Sequence, residues 1–209
     1  MIVVKVGGAM VGAELGELED VVVVHGGGKQ ITQAMAAIGL EVSWVGGRRV
    51  TDDAAIAVVR DALLRVNNEL CAAIGPRAVG FAGDEIGLKA TPVPELGNVG
   101  TPVPSRPQAI LDALATGRIP VVAPLAEGPL NVNADDAAAA LAVGLGAERI
   151  LFMTDVPGVL RDEQVLAEVA AHEVETGEFD GGILPKLQAA VVAAREGVRA
   201  EIGETMVVA

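Results

Sequence analysis

Two lysines in the sequence stand where a positive charge could stabilise a bound anion. Lys5 lies near the end of the apolar run 2–6, and a pair of glycines follows, the second being Gly8. Glycines in such a turn let an anion approach the backbone beside the lysine, although a plain tight turn explains the motif equally well. Lys186 follows Pro185 in the first turn of a predicted late helix, where the helix dipole disfavours a cation. This local conflict indicates a functional role.

A glycine-rich turn follows the second apolar run. The segment His25-Gly26-Gly27-Gly28-Lys29 comes after four valines and opens a predicted helix. The backbone N–H groups of Gly27 and Gly28, at a helix N-terminus, form a ready site for a carboxylate or phosphate. Because Gln30 follows Lys29, the segment is not a P-loop, and it also lacks the dinucleotide-binding glycine pattern. An ordinary Walker-type ATPase is therefore not expected.

Arg49 and a polar segment further along the chain are candidates for holding a small substrate. Arg49 lies just ahead of a predicted helix start, and its planar guanidinium matches a carboxylate with two parallel hydrogen bonds. The segment 130–136 alternates polar with small residues, which places Asn131, Asn133 and Asp135 on one side of an extended chain. Two plainer interpretations stay open: a solvated loop arginine, and an asparagine or aspartate that caps the next helix.

The elements that must position these residues are predicted from the distribution of apolar side chains. The apolar runs do not alternate with polar residues, so they favour strands buried on both faces of a parallel sheet. Ala-rich helical segments lie between them, which predicts an α/β sandwich. The predicted strands are 2–6, 21–24, 77–81, 119–122 and 150–153, and the predicted helices are 29–38, 52–74, 107–115, 135–145 and 187–196. The proline-rich segment 91–108 is expected to be irregular or to form edge strands.

Composition excludes several classes of protein. The chain has 209 residues, 51% of them hydrophobic, which predicts one folded domain. With 28 acidic and 15 basic residues the net charge is −13, and aromatic residues make up only 2%, so no nucleic-acid partner is expected. The longest charge-free stretch has eleven residues, fewer than the roughly 18 to 20 that span a membrane. Cys71 is the single cysteine, and no leader precedes the first strand, which favours a cytoplasmic protein.

Taken together and in order, these motifs resemble the amino acid kinase family. The most specific part is the run from Asn131 to Asp135, followed by an Ala-rich helix and by Thr154-Asp155-Val156-Pro157-Gly158. The resemblance implies a three-layer αβα sandwich around a mainly parallel open sheet. It also implies one domain, 1–209, with an acyl-amino-acid-binding and dimerisation lobe, 1–145, and a nucleotide-binding lobe, 146–209. The motifs are most similar to members that phosphorylate the side-chain carboxylate of N-acetyl-L-glutamate in arginine biosynthesis, with ATP and its bound Mg²⁺.

The resemblance further implies a role for each motif residue. Lys5 and Lys186 would stabilise the transferring phosphoryl group, with Asp135 holding both lysines and Gly8 donating a backbone N–H group. The substrate-binding residues would be Gly27, Gly28, Arg49, Asn131 and Asn133. The nucleotide-binding residues would be Thr154, Asp155, Gly158, Phe179 and Gly182. No protein residue is expected to hold the metal, which the nucleotide would carry.

A carboxylate acceptor removes the need for a general base. The side chain of a glutamate has a reference pKa of about 4.3 and is already ionised at pH 7. The sequence contains two histidines: His25 is expected to shape the glycine turn, and His172 is expected on an exposed acidic helix. Positioning and charge neutralisation therefore suffice for the predicted reaction.

The sequence departs from the usual family pattern in two places. Only residues 9–20 connect the first two predicted strands, so a short crossover helix is expected. Residues 198–202 turn through Gly203 and Glu204 into 205–208, a tight connection where relatives usually carry a helix and loop. Because arginine-inhibited relatives use an N-terminal extension and the C-terminal region for the effector, we expect a homodimer without arginine feedback.

Two alternative functions stay open. One is a carrier-protein-linked aminoadipate or glutamate kinase of the same family. An acidic carrier would fit a chain of net charge −13 poorly. The other is a non-catalytic regulatory domain that binds an acyl amino acid, which the presence of both lysines and Asp135 disfavours.

Overall fold

The computed structural model describes residues 1–7, 12–179 and 181–209, so the predicted phosphoryl-contacting Gly8 lies outside the described residues. The strands are β1 (Ile2–Val6), β2 (Val21–His25), β3 (Trp44–Val45), β4 (Arg48–Arg49), β5 (Ala78–Ala82), β6 (Ala90–Pro92), β7 (Val99–Pro102), β8 (Ile119–Ala123), β9 (Leu125–Ala126), β10 (Leu130–Val132), β11 (Arg149–Phe152), β12 (Leu160–Arg161), β13 (Gln164–Val165), β14 (Glu168–Ala170), β15 (Arg199–Ile202) and β16 (Thr205–Val208). The helices are α1 (Gly12–Leu15), α2 (Gly28–Ala37), α3 (Asp53–Ile74), α4 (Gly83–Ile86), α5 (Gln108–Ala115), α6 (Ala134–Leu145), α7 (Ala171–Glu175) and α8 (Leu184–Arg195).

An eight-stranded sheet runs through the molecule in the order β14-β16-β15-β11-β1-β2-β8-β5. Within the described residues its neighbouring strands are parallel, apart from the antiparallel pair β15–β16. All five predicted strands belong to this sheet, and each begins and ends within one residue of its predicted bounds. The prediction of a mainly parallel α/β sheet is confirmed.

Helices cover both faces of the sheet, which explains why its strands lack polar alternation. Val3 and Val22 belong to the apolar cluster on one face, together with residues of α5, α6 and α8. Their neighbours Val4 and Val23 belong to the cluster on the other face, with Leu15 of α1 and residues of α3. Successive side chains of a strand point to opposite faces, so a strand with helices on both sides must be apolar throughout. The three-layer αβα architecture is confirmed.

The two tight connections predicted from the sequence are present. In the described residues between β1 and β2, the crossover contains only the four-residue helix α1. At the other end, β15 turns directly into β16 through Gly203, whose φ is +55°. A Cβ atom there would lie 2.3 Å from the carbonyl oxygen of Pro157, so this turn requires glycine.

The sequence did not predict a second sheet beside the first. The proline-rich segment supplies β6 and β7, as expected for irregular and edge strands, and these join β10 and β9 in a four-stranded sheet ordered β6-β7-β10-β9. This small sheet carries Asn131 on β10 toward α6. No helix among the described residues is long and apolar enough to cross a membrane.

Candidate active site

The candidate site lies at the carboxyl end of the parallel strands. Lys5 on β1 is in register with Val24 on β2 and with Phe152 on β11, so the three strands finish at one edge of the sheet. Lys5 has the same strand parity as Val3, and its side chain therefore lies on the face that α6 and α8 cover. Crevices at this edge are where open α/β sheets bind their ligands.

Two lysines share one carboxylate oxygen at this edge. The Nζ atoms of Lys5 and Lys186 lie 3.0 Å and 2.9 Å from Oδ1 of Asp135, and each of the three side chains has at most 13% of its surface exposed. Burial lowers the pKa of Lys5, Asp135 raises it, and the nearby Lys186 lowers it again. Asp135 therefore holds two ammonium groups close together, and these three side chains carry one net positive charge. The predicted association of these residues is found.

The glycine turn after β2 is held by two buried polar side chains. His25 is 1% exposed, and its Nδ1 donates to the carbonyl oxygen of Gly26 at 2.8 Å. The Nδ2 atom of Asn67 on α3 lies 3.1 Å from His25 Nε2, which must then be the acceptor, and 2.9 Å from the carbonyl oxygen of Val121. Burial lowers the pKa of His25, which keeps the ring neutral. His25 shapes the turn, as predicted, and both of its nitrogens are engaged.

Helix α2 begins at this turn without a side-chain cap. Its N-cap is Gly27, which has no side chain to accept a hydrogen bond from the first turn. The N–H groups of that turn have no partner inside the helix, and Gly27 and Gly28 line the cavity described below. Such an N-terminus favours an anion.

Arg49 lies beside the same helix, on the hairpin formed by β3 and β4. Its Nη2 donates to the carbonyl oxygen of Gly28 at 3.0 Å and to Oγ1 of Thr32 at 2.8 Å. The indole ring of Trp44, on the opposite strand of the hairpin, lies 4.4 Å from the guanidinium carbon. Arg49 is 4% exposed, so it is a fixed, buried charge and not a solvated loop arginine.

Asn131 and Asn133, the two asparagines of the polar segment, also line the cavity. Asn131 Nδ2 donates to Oγ1 of Thr51 at 3.0 Å, and that hydroxyl donates to the carbonyl oxygen of Arg49. Asn133 is the N-cap of α6: its Oδ1 accepts from the backbone N–H groups of Asp135 and Asp136. The capping interpretation of Asn133 is therefore correct, and the cap fixes the start of the helix that carries Asp135.

These residues surround a cavity of about 220 Å³. Seven of the predicted site residues line it: Lys5, Gly27, Gly28, Arg49, Asn131, Asn133 and Asp135. Lys186 does not itself line the cavity, but it contacts Asp135, which does. The volume is below the roughly 300 to 1,000 Å³ of sites for drug-sized ligands, and it suits one small molecule.

The five residues predicted to bind a nucleotide lie in the described part of the chain but do not line this cavity. Thr154 and Asp155 follow β11, at the same sheet edge as Lys5. Gly158 packs against β16, where a Cβ atom would meet Thr205 Oγ1 at 2.6 Å. Phe179 is buried in the core beneath Arg161, and Gly182 is exposed in the turn before α8.

Sequence reasoning missed four residues that support the site. Thr51 and Asn67 are buried. Thr51 connects Asn131 to Arg49 through hydrogen bonds, and Asn67 connects His25 to β8 in the same way. Arg48 and Asp136 form an ion pair between the hairpin and α6. Asp136 and Arg48 are next to the predicted residues Asp135 and Arg49 in the sequence. Nothing in the sequence around them distinguishes them from charged residues exposed to solvent.

The fold and the site define an αβα protein with a cationic cavity at the carboxyl edge of a parallel sheet. Residues 1–204 match the Amino acid kinase family, and the chain belongs to that family. It is 44% identical to an acetylglutamate kinase of Rubrobacter xylanophilus over 223 aligned positions, covering 96% of this chain and 87% of the relative. It is 40% identical to an acetylglutamate kinase of Roseiflexus castenholzii, covering 85% of this chain and 74% of that one.

A solved structure agrees over almost the whole length. The protein smu.665 from Streptococcus mutans superposes with a TM-score of 0.83 at 28% identity, and 99% of this chain and 98% of that chain are covered. The alignment to the Rubrobacter relative has more positions than this chain has residues, so that relative contains residues that this chain lacks.

Proposed function

We propose that this protein transfers the γ-phosphoryl group of ATP to the side-chain carboxylate of N-acetyl-L-glutamate. The product would be N-acetyl-L-glutamyl 5-phosphate, an intermediate of arginine biosynthesis. Relatives named acetylglutamate kinase, 44% and 40% identical over most of the chain, support this choice of substrate. The cavity is small and cationic, in keeping with a short dicarboxylate.

The observation that carries the proposal is the pair of lysines on one aspartate. Lys5 and Lys186 come from the two halves of the sequence and meet at Asp135, beside the uncapped N-terminus of α2. A transferring phosphoryl group gathers negative charge on its equatorial oxygens, and fixed cations stabilise it without reorganisation. With its charge shared between two ammonium groups, Asp135 keeps them in place while leaving one positive charge for the phosphoryl group.

The nucleophile needs no proton acceptor from the protein. A glutamate side chain is ionised at pH 7. His25 donates to Gly26 with one ring nitrogen and accepts from Asn67 with the other, so it contributes by holding the turn. The N–H groups at the start of α2 and the guanidinium of Arg49 would bind the carboxylates of the substrate and aim one of them at the phosphorus atom.

ATP is proposed to lie over the part of the sheet formed by residues 146–209, with residues 1–145 forming the acyl-amino-acid lobe. Strands β11, β14, β15 and β16 are contiguous at one end of the sheet, which supports this division. The loop that begins with Thr154 and Asp155 emerges beside Lys5 and would contact the nucleotide, together with Gly158, Phe179 and Gly182. Mg²⁺ carried by ATP would neutralise charge on the β- and γ-phosphates. The ammonium groups of Lys5 and Lys186 fit phosphate oxygens by charge.

We further propose that the protein is a cytoplasmic homodimer. Light scattering after size-exclusion chromatography tests the dimer. A monomer would refute this part of the proposal.

An assay that couples ADP release to NADH oxidation tests the proposed reaction. We expect turnover with N-acetyl-L-glutamate, and hydroxylamine should trap the acyl phosphate as a hydroxamate. Turnover with a carrier-linked glutamate or aminoadipate but not with the free substrate would refute the proposal. Binding of N-acetyl-L-glutamate without any turnover in the presence of MgATP would instead identify a regulatory domain.

A further inference from the structure

The tip of the β3–β4 hairpin lies between the candidate substrate cavity and a second cavity. The second cavity has a volume of about 470 Å³ and lies between α6 and α8, with Gly47, Arg48 and Asn133 lining both spaces. Gly46 and Gly47 form the two-residue turn of the hairpin, each with a positive φ. A Cβ atom on Gly47 would lie 3.9 Å from Cγ of Pro185, so the tip approaches the start of the helix that carries Lys186.

Each arginine of β4 holds the hairpin on a different side. Arg49 reaches α2 through Gly28 and Thr32. Arg48 points the other way: its Nη1 donates to Thr101 Oγ1 at 2.7 Å, and its Nη2 lies 3.5 Å from Asp136 Oδ2. The two residues of β3 are largely exposed, Trp44 at 54% and Val45 at 57%. The polar contacts of Arg48 and Arg49 are therefore important for holding the β3–β4 hairpin in place.

We propose that Asp136 is a positioning residue, which holds the β3–β4 hairpin over the substrate cavity through its ion pair with Arg48. The inference rests on the proposed function, because it concerns how the acyl amino acid is held. Asp136 directly follows Asp135 on α6, so the same helix turn fixes the two lysines and the hairpin. Arg48, Arg49 and Trp44 all line the substrate cavity, and a displaced hairpin would move all three.

Burial of Asp136 makes its contact with Arg48 sensitive to pH near neutrality. Arg48 faces it from the hairpin, Asp135 precedes it on α6, Lys5 and Lys186 contact Asp135, and Glu196 lies along the second cavity. Burial raises the pKa of Asp136 to about 6, Arg48 opposes that shift, and Asp135 adds to it. At pH 7 the carboxylate is ionised and pairs with Arg48; below pH 6 it is protonated and the ion pair is lost.

Steady-state kinetics of Asp136→Asn, Arg48→Leu and the double variant test the proposal. We expect Asp136→Asn to raise KM for N-acetyl-L-glutamate about three- to tenfold, the size usual for coupled neighbours. KM for ATP and kcat should stay within about twofold of the wild-type values. Arg48→Leu should raise the same KM at least as much, and adding Asp136→Asn to it should have no further effect. Asp112→Asn, which removes an exposed carboxylate on α5, is the charge-matched control and should behave as wild type.

The pH profile separates positioning from a general loss of structure. The wild-type KM for N-acetyl-L-glutamate should rise as the pH falls from 7.5 to 5.5, with a midpoint near 6, whereas KM for Asp136→Asn should not vary. The carboxylates of the substrate are ionised throughout this range, so they do not contribute. An unchanged KM in Asp136→Asn, a persisting pH dependence in it, or additive effects in the double variant would overturn the inference. Absence of turnover in the wild-type protein would refute the proposed function instead.

Discussion

Replacing Asp135 by asparagine tests the arrangement on which the proposed function depends. The substitution keeps the size of the side chain and an acceptor oxygen, but it removes the charge that both lysines share. The Nζ atoms of Lys5 and Lys186 are 3.0 Å and 2.9 Å from one oxygen, so they are no more than 5.9 Å apart. At an effective dielectric constant of about 20, two unit charges at that distance repel by about 3 kcal/mol.

We expect Asp135→Asn to lower the free energy of unfolding by about 3 to 5 kcal/mol, the usual cost of breaking a buried ion pair by removing one partner. Burial already lowers the pKa of Lys5, and Asp135 raises it, so the pKa falls further in the variant. A lysine with a lowered folded-state pKa binds its proton more weakly when folded, so the variant should regain stability as the pH rises from 7 toward 10. Turnover should fall by about two orders of magnitude or more, because the two cations lose their fixed positions.

Urea unfolding at pH 7.5 and the ADP-release assay measure the two effects separately. Adding Lys5→Met to Asp135→Asn removes one of the repelling charges, so part of the lost stability should return while turnover stays low. An Asp135→Asn variant with wild-type stability and wild-type turnover would refute the reasoning. A double variant no more stable than the single one would show that the repulsion between the lysines is negligible.

Three further substitutions test other parts of the site. Lys186→Met should lower turnover by about 10²- to 10³-fold, with Lys89→Met, an exposed lysine, as an unaffected control, and unchanged turnover would remove Lys186 from the site. Asn67→Ala leaves Nε2 of the buried His25 without its hydrogen-bond donor. We expect the free energy of unfolding, measured by thermal denaturation, to fall by about 1 to 3 kcal/mol. An unchanged free energy of unfolding would contradict the assigned hydrogen bond. Asp136→Asn should stabilise the protein by up to about 3 kcal/mol at pH 7, because burial raises the pKa from 3.8 to about 6 and the folded protein binds that proton more tightly. That gain should diminish as the pH falls from 6 to 4, and a variant no more stable than wild type at pH 7 would contradict it.

The eight-stranded sheet could be predicted because its strands are apolar on both faces. The run 21–24 contains four valines, each at most 1% exposed, and a strand covered on one face alone would have shown polar residues at alternate positions. The second sheet could not be predicted in the same way. Its strands have two to four residues, and β6 and β7 include prolines, so no periodicity is long enough to recognise.

Site residues that belong to a sequence motif could be predicted. Site residues that act through a contact with a distant segment could not. Lys5, Asp135 and Lys186 were expected to act together from the motifs that resemble the amino acid kinase family, and the structure brings them together. Asn67 lies within the long helix α3, and only folding places it against His25, 42 positions earlier in the chain. Arg48 and Asp136 are 88 positions apart, and the sequence does not show which of many charges each will meet. Phe179 had been assigned to the nucleotide, and its burial gives it a packing role as well.

The acidic composition and an anion-binding site are compatible because the two act over different distances. The net charge of −13 spreads over the surface, where salt screens it beyond a Debye length of roughly 8 to 10 Å. Lys5 and Arg49 are less than 9% exposed, so solvent screens their charges much less at the cavity wall. The acidic residues nearest the cavity are themselves used to fix cations: Asp135 holds two lysines, and Asp136 holds Arg48. Each therefore places positive charge where an anionic substrate would bind, so net charge alone is a poor guide to the ligands of this fold.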